Sequence, residues 1–239
     1  MSKADQIFEL PDFSFDPTAI FIYGGGGHGK TLIDLLRAVG AYRIVGLVDD
    51  NLPAGSAIMG IPVLGGTGIL PELYGRGVRL AVNAVGGIGN VSVRLRVFDL
   101  LAKAGFSCPN LVHPNAWVET SAALEGGVQV LVHAYVGTES RIGFGSVLNA
   151  HVVVSHDCVI GRCVNLSPGA LLAGDVWVGD FAQIGMGATI NLHVRIGPQA
   201  RIGNGATVKD HVPEGGRVYA GHIWPERQIN TNSPPREED

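Results

Sequence analysis

Aliphatic side chains recur at every sixth position through the second half of the chain, from Val112 to Val208. All seventeen positions of this series hold Val, Ile or Leu, and no insertion interrupts them. Four residues after each aliphatic comes a compact side chain, Ala, Ser, Cys or Val, from Ala116 to Val212. This period is typical of short strands joined by sharp corners, with aliphatics filling the interior and compact residues the tight angles. We therefore expect a three-sided parallel coil of five to six turns, eighteen residues to a turn, whose core exists only because the turns stack.

The alternative to this coil is an ordinary β-sandwich. A sandwich would space its strands about 8–12 residues apart with loops of variable length, which the uninterrupted period of six disfavours. Glycine also supports the coil, because 35 of the 239 residues are Gly and seven of the aliphatics are directly followed by one. A chain that leaves a short strand for a sharp corner benefits from a residue without a Cβ.

The first hundred residues have a different pattern. Segments with strand and helix character alternate there: strands over 19–23, 43–48 and 80–85, and helices over 30–39 and 91–104. This alternation predicts βαβ units and a small, Rossmann-like parallel sheet. We therefore expect three parts: an α/β domain over 1–110, a β-helix over 111–212, and a C-terminal cap with a flexible tail over 213–239.

Composition and charge exclude several classes of function. An apolar content of 46 % excludes a disordered chain. The net charge of −4 argues against nucleic-acid binding through phosphate neutralisation and against a basic membrane-binding patch. The three cysteines include no CxxC pair, which suits a reducing compartment. The N-terminus carries Asp5 and Glu9 in place of a signal peptide, so we expect a cytoplasmic protein without nucleic-acid or membrane partners.

A glycine-rich loop is the first candidate binding site. Residues 24–29 satisfy GxGxxG between a strand and a helix, and Asp49 and Asp50 follow about twenty residues later. Backbone amides at such a helix start bind a pyrophosphate, and an acidic side chain reaches a ribose or a base. Only one short βαβ unit precedes the coil, so a nucleotide diphosphate joined to another group is favoured over NAD. A turn needed only for packing is the remaining explanation.

Histidines in the coil are the candidate catalytic residues. His156 lies two residues after an inward aliphatic and so belongs on an accessible corner, where Asp157 can orient it as a proton acceptor near neutral pH. The alternative is a solvated surface histidine. His133 with His151, and His193 with His211, are eighteen residues apart and should stack on successive turns. Stacked polar corners explain these pairs better than a metal site in a trimer, and we expect no metal.

Four motifs taken together resemble the nucleotide-sugar N-acetyltransferases, which have a left-handed β-helix and are relatives of the sialic-acid O-acetyltransferases. The resemblance covers roughly residues 19–222. Its motifs are Phe21-Ile22-Tyr23-Gly24 through His28-Gly29, Val48-Asp49-Asp50, Ile88-Gly89-Asn90 through Arg94, and His156 through Gly161. It implies a homotrimer that acetylates the 4-amino group of a nucleotide-linked sugar, in glycan and lipopolysaccharide pathways. Acetyl-coenzyme A would lie between adjacent coils.

The resemblance also implies roles for individual residues. His156 would be the general base for direct attack of the amine, assisted by Asp157, with a backbone amide such as that of Gly174 stabilising the oxyanion. The nucleotide sugar would contact Gly24, Gly25, Gly26, Gly27, His28, Asp49, Asp50, Gly89 and Asn90. Acetyl-coenzyme A would contact Asn165, Ala173, Gly174, Gly185 and Met186.

The sequence departs from the family pattern at two places. Many relatives carry a second histidine nine residues after the base, where this chain has Asn165, and the segment 221–225 replaces a Gly-x-Pro-Ala turn. Two other functions stay open at this point: O-acetylation of a sugar hydroxyl, and a non-catalytic trimeric protein that binds nucleotide sugars. The nucleotide base, in a UDP, dTDP or GDP sugar, is also open.

Overall fold

The computed structural model describes residues 16–86, 89 and 91–225; the predicted flexible tail and Asn90 lie outside this range. The α/β domain is built from nine elements: β1 (Ala19–Tyr23), α1 (Gly27–Val39), β2 (Arg43–Val48), β3 (Ala57–Ile58), β4 (Ile61–Gly65), a 3₁₀ helix (Thr67–Ile69), α2 (Leu70–Gly75), β5 (Leu80–Asn83) and α3 (Val91–Lys103). Its sheet has the order β3-β4-β2-β1-β5, parallel except for the β3–β4 pair. The predicted parallel sheet is confirmed, and α1 begins three residues earlier than its pattern predicted.

The rest of the described chain forms a three-sided parallel β-helix. Its domain face consists of β6 (Leu111–Val112), β9 (Gln129–Val130), β12 (Val147–Leu148), β15 (Asn165–Leu166), β18 (Gln183–Ile184), β21 (Arg201–Ile202) and β23 (Arg217–Val218). Its apolar face consists of β7 (Trp117–Val118), β10 (Tyr135–Val136), β13 (Val153–Val154), β16 (Leu171–Leu172), β19 (Thr189–Ile190), β22 (Thr207–Val208) and β24 (Ile223–Trp224). Its third face consists of β8 (Ala123–Leu124), β11 (Arg141–Ile142), β14 (Val159–Ile160), β17 (Trp177–Val178) and β20 (Arg195–Ile196).

Each aliphatic of the sequence series is the second residue of a two-residue strand. From the second turn onwards these side chains are buried, and they form one continuous core with the compact corner residues such as Ala170, Ala188 and Ala206. Two corners hold serines instead. The Ser140 hydroxyl donates a hydrogen bond of 2.6 Å to Ser155 O, and the Ser146 hydroxyl one of 2.8 Å to Gly161 O. Because these hydrogen bonds satisfy the buried hydroxyls, serine is tolerated among the compact corner residues.

The coil continues after the seventeen predicted strands. Strands β23 and β24 pair with β21 and β22, and the partners are sixteen residues apart in sequence instead of eighteen. Val212 forms only an isolated bridge, to Ile196. The shortening lies between Val208, which pairs with Ile190 eighteen residues earlier, and Val212, so residues 209–211 form a corner two residues shorter than its counterpart in the turn before.

Several corner residues have left-handed backbone conformations. His133, His151, Asp157 and His193 have φ angles of 58°, 59°, 60° and 60°. His and Asp adopt this conformation more readily than most side chains. The stacked histidines therefore have a backbone role at their corners. His156 is not among the positive-φ residues, so this constraint does not explain its presence.

No described helix is both long and apolar enough to cross a lipid bilayer.

The inward aliphatics dominate the stability of the coil, which a truncation tests. Leu166 is fully buried, and replacing it by Ala should lower the free energy of unfolding by about 2–5 kcal/mol through lost burial and the cavity left behind. Val159 is 40 % exposed on the third face, and V159A should cost less than about 1 kcal/mol. Urea unfolding followed by circular dichroism measures both; equal losses would contradict this account of the core.

Candidate active site

The glycine-rich loop lies at the carboxyl end of β1, an interior strand of the α/β sheet. Strand β1 pairs with β2 on one side and β5 on the other, so the chain connections diverge there, where open α/β sheets bind ligands. Gly24 has a φ of 108°. A Cβ on Gly29 would lie 2.2 Å from Gly24 O, so close packing of α1 on this loop requires glycine at 29.

The start of α1 is open to an anion. A Cβ on Gly26 or on Gly27 would meet no atom within 4 Å. No side chain caps this helix, and its first turn has no acidic residue. The first amides of a helix lack partners within the helix and carry partial positive charge. The geometry therefore fits the predicted contact between this loop and a diphosphate.

The two aspartates after β2 have different surroundings. Asp49 accepts hydrogen bonds of 2.8 Å from the backbone N–H of Gly25 and of Asn51, and so holds the glycine loop. Asp50 accepts from Thr67 N at 2.6 Å, from the Thr67 hydroxyl at 2.8 Å and from the Tyr23 hydroxyl at 2.9 Å. The hydrogen bonds from Thr67 lower the pKa of Asp50. Both carboxylates organise the rim of the loop, with Asp50 the more heavily engaged.

His28 points towards the β-helix. Its Nε2 lies 2.8 Å from Oε1 of Gln129 on β9. Gln129 uses its Nε2 to donate to Asn83 O at 2.9 Å, so its oxygen accepts and His28 Nε2 donates. Burial lowers the pKa of His28, and the charge of Arg94 lowers it further. In this structure His28 connects the α/β domain to the coil.

Gly89 also lies against the coil. Its N–H lies 3.4 Å from Gln183 Oε1, and its carbonyl oxygen lies 3.3 Å from Gln183 Nε2 and 3.4 Å from an Arg201 nitrogen. A cavity of about 360 Å³ lies beside it, between the start of α3 and the coil. Its lining residues are Gly89, Val91, Ser92, Leu95, Phe181, Gln183, Gln199 and Arg201.

His156 and Asp157 form a hydrogen-bonded pair on the corner between the apolar and third faces. His156 Nδ1 lies 2.6 Å from Asp157 Oδ2, and the two side chains are 61 % and 59 % exposed. Because a carboxylate only accepts hydrogen bonds, Nδ1 carries the proton of the neutral ring, which leaves Nε2 as an acceptor. The pair therefore has the arrangement of a general base with its orienting group.

The imidazole of His156 lies directly over Gly174 of the next turn. A Cβ on Gly174 would come within 2.4 Å of both Cε1 and Nε2 of the ring. Ala173 is the neighbouring residue, and its carbonyl oxygen accepts a hydrogen bond of 3.2 Å from Cys158 Sγ. Two of the predicted coenzyme residues thus lie beside the candidate base.

The other three predicted coenzyme residues lie elsewhere in the same chain. Asn165 is 3 % exposed on the domain face, and its Nδ2 donates to the Ser167 hydroxyl at 3.1 Å. Gly185 and Met186 lie on the corner between the domain and apolar faces, where Met186 is 52 % exposed. The corner of His156 is opposite the domain face, so the width of the prism separates it from the glycine loop. A single chain does not bring the base and the loop together.

His133 and His151 stack as predicted, whereas the expected stacking of His211 on His193 is wrong, because the shortened corner places His211 beside Arg195. The rings of His133 and His151 are 5.0 Å apart, edge to face. His193 Nδ1 lies 2.8 Å from Asp175 Oδ2, and His211 Nδ1 accepts from Arg195 N. Among the described residues, no three His, Cys, Asp or Glu side chains are grouped as a metal ion would require.

The motifs of the sequence predict no role for Arg94 or Gln129, two of the side chains that join the domain to the coil. Arg94 stands at the end of one motif, and Gln129 lies outside all four. The residue types on the domain face could have indicated that the α/β domain covers it. Its outward positions include the uncharged polar residues Gln129, Asn165 and Gln183, whereas a solvated surface usually carries charges.

Residues 19–101 match the family model described as the PglD N-terminal domain. The chain is 33 % identical to a mutant of perosamine N-acetyltransferase from Caulobacter crescentus in complex with CoA and GDP-perosamine, with a TM-score of 0.81 over 87 % of this chain and 96 % of that one. It is 31 % identical to the acetyltransferase domain of PglB from Neisseria gonorrhoeae in complex with acetyl coenzyme A, with a TM-score of 0.79 over 87 % and 98 %. It is 28 % identical to WeeI from Acinetobacter baumannii, with a TM-score of 0.76 over 84 % and 96 %.

No curated protein matches the chain in sequence. The predicted fold class, a small parallel sheet followed by a left-handed parallel β-helix, is confirmed.

The partly buried position of His28 makes stability depend on pH. Burial lowers the folded-state pKa of His28 below 6.5, so the unfolded chain binds the proton more readily, and stability falls as the pH drops below that value. The urea midpoint should therefore decrease from about pH 7 to about pH 5. The His28→Gln variant, which stays neutral, should show a smaller decrease; the same decrease in both proteins would contradict the assignment.

Proposed function

The chain belongs to the sugar N-acetyltransferases of the hexapeptide-repeat family, and from this membership we propose that it transfers the acetyl group of acetyl-coenzyme A to the 4-amino group of a nucleotide-linked sugar. The observation that carries the proposal is the His156–Asp157 pair over Gly174. The complexes of the relatives support the two substrates, CoA with GDP-perosamine in one and acetyl coenzyme A in another.

The reaction is a direct transfer. The neutral amine attacks the thioester carbonyl carbon, and its proton passes to Nε2 of His156 as the new C–N bond forms. The C–S bond then breaks, and the sulfur of coenzyme A leaves with the proton returned by the imidazolium. Asp157, which accepts from Nδ1, stabilises the imidazolium while it exists. A backbone amide at Gly174 would stabilise the oxyanion, a contribution typically worth about 10²–10³ in rate.

The nucleotide sugar binds to the α/β domain. Its diphosphate lies at the open start of α1, near Gly26 and Gly27, and its nucleoside extends towards Asp49 and the rim of the loop. The sugar follows the segment around Gly89 along the domain face of the coil, towards Asn165. The open space at the Cβ positions of Gly26 and Gly27 supports this placement.

A homotrimer completes the site. If three prisms place their apolar faces towards a common axis, the His156 corner of one copy meets the Met186 corner of the next. Ala173 and Gly174 of one copy then line a groove with Gly185 and Met186 of its neighbour, and acetyl-coenzyme A lies in that groove. Asn165, on the domain face beside the Met186 corner, comes near the His156 corner of the other copy. The predicted residues that one chain keeps apart meet in this assembly.

The distribution of exposed apolar side chains supports this orientation. Six of the ten large exposed apolar side chains lie on the apolar face or its two corners: Trp117, Leu171, Met186, Leu192, Tyr219 and Ile223. Trp117 and Ile223 are 65 % and 52 % exposed there. The outward residues of the third face include Arg141 and Arg195. A concentration of exposed apolar side chains on one face favours that face as an interface.

A panel of UDP-, dTDP- and GDP-linked 4-amino sugars, with the matching hydroxyl sugars, tests the function in one thiol-release assay. We expect turnover with one of the amino sugars and little with its hydroxyl counterpart. His156→Ala should lower kcat about 10²–10⁴-fold through loss of the general base. His113→Ala is the control, since His113 lies more than two turns before His156, where its Nδ1 accepts a hydrogen bond from Asn115 N at 3.0 Å, and it should retain nearly the full rate.

Turnover of the hydroxyl sugars alone would favour O-acetylation. Nucleotide-sugar binding without any transfer would favour a non-catalytic binding protein. A folded His156→Ala protein with the full rate would contradict the role of the histidine.

Gly174→Ala tests the position of the imidazole. The added Cβ would overlap the ring of His156, which is the exposed end of a flexible side chain and can rotate away without unfolding the coil. We expect kcat to fall about 100-fold from misplacement of the base, with a nearly unchanged melting temperature. Gly75→Ala, where a Cβ meets no atom within 4 Å, is the control. Equal rates for both variants would contradict the geometry.

A further inference from the structure

Arg94 is the largest fully buried side chain among the described residues, and its hydrogen bonds cross from the α/β domain to the coil. Its Nε and one terminal nitrogen donate to Gly145 O of the coil at 3.2 and 2.9 Å. The other terminal nitrogen donates to Asn83 O at 3.3 Å and to Val85 O at 2.6 Å. One planar guanidinium thus fixes the end of β5 relative to a corner of the coil.

Gln129 makes a second connection from the coil to the same place. It is 2 % exposed, its Nε2 donates to Asn83 O at 2.9 Å, and its Oε1 lies 2.8 Å from His28 Nε2. The Asn83 side chain returns a hydrogen bond of 2.9 Å to Arg94 O. Arg94 and Gln129 therefore hold both chain segments that flank the switch point of the sheet, the one ending at His28 and the one beginning after β5.

Burying a charged guanidinium between two parts of a chain costs free energy. No ion pair among the described residues includes Arg94, and burial lowers the pKa of its guanidinium to about 10. Apolar side chains of similar volume often join protein surfaces at equal or greater stability. What a planar guanidinium adds is direction, because its donors point along fixed lines to their acceptors.

We propose that Arg94 and Gln129 are positioning residues, which set the register of the nucleotide-sugar pocket on the coil so that the acceptor amine reaches the acetyl group. The inference rests on the proposed function. Neither side chain touches the reacting atoms. Both act through the segments around His28 and Val85, which the proposed function assigns to the nucleotide sugar. A shift of about 1 Å between a bound substrate and the reacting group can cost about 100-fold in rate.

Gln129→Met is the sharpest test, because Met has the length of Gln without its hydrogen bonds. We measure kcat and KM with the preferred nucleotide sugar, the Kd of that sugar by calorimetry, and acetyl transfer to the free 4-amino sugar without its nucleotide. We expect kcat with the nucleotide sugar to fall about 10- to 100-fold and Kd to change less than about threefold. Transfer to the free amino sugar, which the α/β domain does not hold, should keep its rate.

Arg94→Lys keeps the charge and loses the planar fork, and should show the same split between kcat and Kd. Leu73→Ala is the control for lost stability, since Leu73 is buried in α2 and makes none of these hydrogen bonds; it should lower the melting temperature and leave kcat at 25 °C near that of the wild type. An unchanged kcat in Gln129→Met, or an equal loss with the free amino sugar, would overturn the positioning role. Absence of transfer by the wild-type protein would instead reject the proposed function, and the positioning role with it.

Discussion

The stacking of short strands in a fixed register is the constraint on which the rest of this structure depends. The inward aliphatics of successive turns pack into one continuous core, which the compact corner side chains share. An inserted residue would turn the following strand's inward side chain outwards. The coil therefore holds its corners rigidly, and a side chain such as His156 has a defined place although it is exposed.

The two functional parts of the chain lie on opposite sides of this rigid body. The α/β domain covers the domain face through buried polar contacts of Arg94 and Gln129, whereas the His156–Asp157 pair lies on the corner farthest from that face. Rigidity makes the separation permanent within one copy. In the proposed trimer, assembly through the apolar face determines which groups meet, and the interdomain hydrogen bonds determine how accurately they meet.

The coil was predictable from the sequence because the six-residue period determines which side chains of each strand point inwards and which point outwards. It also predicted the accessible corner of His156 and the open glycine loop. It did not predict that His28 faces Gln129, that Asp50 is engaged by Thr67, or that Asn165 is buried. These features depend on which face of the coil the α/β domain covers, and that choice comes from packing between residues about a hundred positions apart, which no local pattern records.

In the proposed trimer the base of one copy acts on a sugar held by another, and subunit mixing tests this arrangement most directly. Gly26 has an ordinary φ of −71° and open space around its Cβ position, so Gly26→Leu should fold normally while blocking the nucleotide pocket. Each of Gly26→Leu and His156→Ala should be inactive alone. Refolded together in equal amounts, the two variants should recover about a quarter of the wild-type rate. In randomly mixed closed trimers, about one interface in four pairs an intact pocket with an intact base. No recovery from verified mixed trimers would contradict a site shared between copies.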